Sequence, residues 1–173
     1  MPLEEVRYLY YRRTNLKLTD MKVIERIIIA GVVGTTFMTA YSYWKSKKEH
    51  EEFVEPVMLN KLIDNSEDLP AIQDDKRHPA GWGMHYLTGV AFVAAYWILW
   101  RRVLKDPGVA RVLAVGGLSG IAGIAAWKTF FTVHDNPPHN DRQGYYRQLF
   151  VAHIIFSATA ILAYRLTRPE PGE

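Results

Sequence analysis

The sequence predicts an all-α, polytopic membrane protein, a four-transmembrane-helix bundle with an extended outer loop between helices 1 and 2. Three observations predict it. Four apolar blocks of 20 to 23 residues are separated by charged or Pro-rich segments, and at 1.5 Å per residue each can cross a hydrocarbon core about 30 Å thick. Residues 27–44 and 81–100 contain no Asp, Glu, Lys or Arg, so they lack the charged face that a helix of a soluble bundle turns to water. Aromatic residues cluster at the block ends, among them Trp44, Trp82, Trp100 and Tyr145, as in the belts that anchor helices at membrane interfaces. A mean hydropathy of −0.11 over 173 residues conceals this pattern, because polar loops offset the apolar blocks.

One membrane domain fills the chain, with spans at about 23–44, 81–100, 109–131 and 145–166. The first span is a retained helix and not a cleaved signal, since about 20 polar residues precede a core too long for a signal peptide. The outer loop 45–80 opens with KSKKEHEEF, which extends the first helix beyond the bilayer. It continues through an amphipathic VEPVMLNKL suited to lie over the outer mouth of the bundle. Pro79 then starts the second helix. LKDPG at 104–108 is a tight turn, making spans two and three antiparallel neighbours. Gly116, Gly120 and Gly123 form a small-residue stripe on the third span, which makes that helix the central one or a face for a homo-oligomer or larger membrane complex. The outer loop 132–144 holds a rigid polar run with two adjacent prolines, Pro137 and Pro138.

With an even number of spans both termini share one face, which holds twelve Lys and Arg against seven acids, whereas the opposite face holds eight against eleven. Positive residues favour the cytoplasmic side, so the termini are assigned inside, in a bacterial cytoplasmic membrane. The N-terminal segment, with Tyr8, Tyr10 and Tyr11 among Arg7, Arg12 and Arg13, reads as an anchor on anionic membrane lipids. There is no nucleic-acid motif, and the absence of Cys excludes disulfides, thiolate metal sites and cysteine nucleophiles.

Function points to the histidines. Helical rise puts His85 and His153 roughly 7 and 12 Å below the outer ends of their helices. His134, His139, Asp135, Asp141 and Lys128 belong to the same outer third. Ionisable residues inside a span are costly unless they face a cavity or the bundle interior. Three chemistries fit. In the first, His85, His134, His139 and His153 supply ligands to a divalent metal, Zn or Fe, with Asp135 as ligand orienter or general base and Lys128 stabilising negative charge during hydrolysis of a lipid ester. In the second, His85 and His153 are the axial ligands of a haem b, with Gly81, Gly83 and Gly89 leaving room for the ring. The third is a non-catalytic site for a lipid, quinone or other amphiphile. A further alternative is a non-catalytic accessory subunit. Enzyme and binding protein both stay open at this level.

Overall fold

The computed structural model describes residues 21–168, and the N-terminal segment read as a lipid anchor, 1–20, lies outside the described residues. They form the helices α1 (Val23–Glu49), α2 (Glu55–Asp64), α3 (Pro79–Leu99), α4 (Arg101–Lys105), α5 (Val109–Val133) and α6 (Arg142–Leu166). The described part of the chain is thus all-α. Three of these helices, α1, α5 and α6, are long and apolar enough to cross a membrane, where the sequence led us to expect four. The remaining candidate, α3, has 21 residues and no charged side chain. Its glycines, tyrosines, tryptophans and His85 keep its hydropathy below that of the most apolar stretches of α1, α5 and α6.

Two stretches of the loop 45–80 are helical. Helix α1 continues through the charged run to Glu49 and stops where His50 turns left-handed at φ 56°, its N–H closing on Ser46 O. The amphipathic stretch becomes α2, which packs on α3 and buries Val57 and Met58. Helix α3 begins at Pro79, and its first turn is held by α2: buried Asn60 accepts from Gly81 N–H at 2.7 Å and donates to Asp75 O and His78 O at 2.7 and 2.9 Å. A side chain thereby supplies partners that the helix start itself lacks. A Cβ on Gly81 would lie 2.5 Å from Asn60 Oδ1, so glycine is what lets α2 come this close.

The packing order differs from the expectation. The central helix is α6, which lies along both α1 and α5, while α3 packs on α1 and α2. Helices α3 and α5 are sequence neighbours without an extended mutual interface, because α4 and the turn after it hold them apart. The glycine stripe of α5 is consumed within the chain. A Cβ on Gly116 would sit 2.8 Å from Ile154 Cα, one on Gly120 2.9 Å from the Phe150 ring, and one on Gly123 2.6 Å from the His153 ring. That face seats α6, so it is not a free surface for a second copy. On α1, Gly31 meets Val90 of α3 and Gly34 meets Phe156 and Ala160 of α6.

The aromatic ends divide in two. Tyr43 and Trp44 are exposed, whereas Tyr96, Tyr145 and Tyr164 turn inward and are buried. Tyr164 stacks under the buried Arg26 guanidinium at 4.0 Å, and Arg26 also donates to Tyr164 O at 2.9 Å, tying α1 to α6 at the terminal end. A tyrosine has an apolar body and a polar tip, so composition marks both a belt residue and a core hydroxyl.

Candidate functional site

The gap between α3 and α5 is where a site forms. At its loop end is a cavity of about 210 Å³, lined on α3 by His85, Gly89 and Phe92, on α5 by Gly123 and Trp127, and on α6 by His153. Thr35 of α1 completes the wall, and Glu55 and Leu59 of α2 form its roof. A second hollow of about 320 Å³ runs from Phe92 and Ala122, shared with the first, toward Leu99 and Leu118. Leu99 and Leu118 are exposed, so the cleft opens sideways between the helices. A single polar link crosses its floor, where Tyr96 OH lies 2.6 Å from Ser119 Oγ on α5 and 3.0 Å from Ser157 Oγ on α6.

His85 and His153 both line this cavity, and the hydrogen-bond network assigns their tautomers. On α1, Thr35, Thr39 and Ser42 follow at helical spacing and are all buried. Thr39 gives its hydroxyl proton to Thr35 O at 2.8 Å and so accepts from His85 Nε2–H at 2.9 Å. The other ring nitrogen, Nδ1, is then a bare acceptor in the neutral ring. His153 Nδ1–H donates to Leu149 O at 2.8 Å, because a carbonyl only accepts. That leaves His153 Nε2 as an acceptor beside Gly123, where a side chain would collide with the ring. The Phe92 ring meets the His153 ring edge-on at 5.5 Å.

Glu55 completes the polar set and was not anticipated from sequence. It is 2% exposed. Its Oε1 accepts from Ser42 Oγ at 2.8 Å and from Gln148 Nε2 at 3.3 Å, while Oε2 has no partner. Gln148 in turn donates to Phe53 O at 3.1 Å, fixing the strap that leads into α2. Burial pushes the Glu55 carboxyl up to about 7, opposed by hydrogen bonds from the backbone, Ser42 and Gln148 and assisted by the nearby Glu52. The sequence signals were a lone acid in an apolar stretch and the i, i+4, i+7 polar stripe of α1.

The other predicted residues lie elsewhere. Asp135 and His139 are exposed in the loop 132–144. Lys128 points outward, its Nζ 5.5 Å above the Tyr146 ring. His134 donates from Nε2 to Leu62 O at 2.8 Å and accepts from Asn136 N–H at 3.1 Å, so it anchors the end of α2. The rigid proline run serves the same end: Asn65 donates to Asn136 O at 3.0 Å, Asn140 to Glu52 O at 3.2 Å, and Arg142 to Pro138 O at 2.7 Å. It secures the roof and does not line the cavity.

Among the described residues no group of three or more His, Asp or Glu is placed to hold a metal ion. Of the glycines expected to make room for a macrocycle, Gly81 is filled by α2 and Gly89 lies against Thr35, while Gly83 faces open space. Compared with known proteins, the chain matches no family model, no curated protein and no solved structure.

Proposed function

We propose that the protein is an integral membrane protein that binds an amphiphile, with a ring-sized polar head in the cavity under Glu55 and an apolar tail in the cleft between α3 and α5. The observation that carries this reading is the pairing of unpartnered acceptors, on His85, His153 and Glu55, with an apolar space that opens toward lipid. Buried polar atoms without partners are rare in folded proteins, and a ligand supplies what the fold leaves out. The size is also suited: a cavity of roughly 150 Å³ holds benzene, so one of about 210 Å³ admits a substituted ring. In this reading His85 and His153 are ligand-binding residues, and α2 with the loop 132–144 shields the head from water.

The reading includes α3 as a fourth crossing. It runs antiparallel to α1, with Thr39 beside His85 and Gly31 beside Val90, and 21 residues reach about 31 Å. Both termini then share one side, which the charge bias assigns to the cytoplasm.

The test is native mass spectrometry of the full chain released from mild detergent, with an absorption spectrum and metal analysis of the same sample. An amphiphile adduct on the wild type and its loss in Ala122→Trp is the expected result, since Ala122 lies at the junction of the two hollows. An adduct that persists with the junction plugged would overturn the reading. A Soret band or stoichiometric Zn or Fe would replace it with the haem or metal chemistry.

A further inference from the structure

We propose that the cavity selects an amphiphile whose ring carries two separated hydrogen-bond donors, of the alkylated 1,4-benzenediol class, over the same ring in its quinone form. This rests on the amphiphile reading and names the chemistry of its ligand.

Acceptors outnumber donors among the side chains of the cavity. His85 Nδ1, His153 Nε2 and Glu55 Oε2 are acceptors without a hydrogen-bond partner, on three residues that line the cavity. The two cavity-lining threonines have committed their protons inside their own helices, Thr35 to Gly31 O and Thr88 to Met84 O, each at 2.8 Å. Among the lining side chains only the Trp127 indole N–H is left as a donor. A quinone offers carbonyl oxygens alone, so its oxygens would meet lone pairs. A diol offers two O–H groups and relieves the mismatch at two of the three acceptors.

The spacing of the acceptors separates a ring from a compact cation. They come from three helices and do not converge closely enough to ligate one ion. A single ammonium could satisfy one of them while leaving the rest unpaired. A flat ring with donors at opposite edges reaches across the space, and Phe92, Trp127 and Phe156 supply aromatic walls for its faces.

Titration calorimetry of the detergent-solubilised full chain tests this at pH 8, under argon, with 2-decyl-1,4-benzenediol, 2-decyl-1,4-benzoquinone and decylamine. At that pH Glu55 is mostly ionised, and the titratable groups facing it are Glu52, Tyr145, His85 and His153. The chain has no Cys for the quinone to alkylate. The diol is expected to bind on the order of 100-fold more tightly than the quinone, because sites built around hydrogen bonds reject analogues that cannot make them. Glu55→Gln, which puts an amide N–H where an acceptor stood, is expected to narrow that ratio at least about 10-fold. Equal binding of diol and quinone would overturn the donor selectivity while leaving the amphiphile reading intact. Tighter binding of decylamine than of the diol would also overturn it. Failure of all three to bind would overturn both.

Discussion

Glu55 shows what a single buried carboxyl does to the pH response of the fold. Folded Glu55 holds its proton to about 7, whereas the unperturbed value is 4.5. The folded state therefore binds more protons between those values, and stability falls as pH rises from 4.5 to about 7 and is flat beyond it. The full loss is about 3 kcal/mol at 1.36 kcal/mol per unit. Glu55→Gln removes the titration and keeps a group that can accept from Ser42. We expect its melting temperature in detergent to match the wild type near pH 4 and to exceed it by several degrees at pH 8, read by tryptophan fluorescence. Parallel melting curves for the two proteins across that range would refute this. At this scale the site was half legible. The depth of His85 and His153 follows from counting along a helix, whereas Glu55 enters the cavity only because α2 folds back over the bundle. Counting along the chain does not report such a fold-back. Lys128 and Asp135 sit at the loop end of α5, and position along a helix gives no information on which way a side chain turns.

Among the elements, the stripe Gly116, Gly120 and Gly123 was legible as a close-packing face, but not its mate. Helical spacing identifies which residues share a side, and the choice between α3, α6 and another molecule is made by the whole arrangement of helices. The connecting turn made α3 and α5 look like a pair, yet the bulk of α6 fills that position beside α5. Overpacking a tight interface costs about 1–3 kcal/mol. Gly116→Leu, aimed at Ile154 Cα at 2.8 Å, is therefore expected to lower the melting temperature by several degrees. Gly83→Leu, which meets nothing within 4 Å, should leave it unchanged. Equal melting temperatures for the two variants would show that α5 and α6 are not held by that contact. The Tyr96 hydroxyl, joining Ser119 and Ser157, is the polar tie between α3 and its two distant partners. Intramembrane hydrogen bonds are worth roughly 0.6–1.7 kcal/mol, so Tyr96→Phe is expected to give a loss of that size in unfolding free energy, measured by titration with denaturing detergent.

For the molecule as a whole, the charge bias and the parity of crossings make one joint prediction. The chain lacks Cys, so single-cysteine variants report without background. Glu67→Cys, in the exposed part of the long loop, is expected to react with an impermeant maleimide on intact cells. Lys105→Cys, exposed at the opposite end, should react only after permeabilisation. Labelling of both in intact cells, or of neither, would mean that α3 does not cross. The all-α class and the spans of α1, α5 and α6 were legible because long uncharged runs leave few alternatives. The role of α3 was harder to read because lining a cavity requires the same polar and aromatic residues that lower its hydropathy.

The position of α6 also constrains assembly. Ribosomes deliver α1, α3 and α5 before it, and α1 and α3 can pair as soon as both are made. Helix α5, however, spends the interval with its glycines against lipid and no backbone to receive them. The His153 half of the cavity arrives at the same late moment. The protein therefore acquires its architecture and its cavity in one closing event, with no half-built cavity standing complete before α6 arrives.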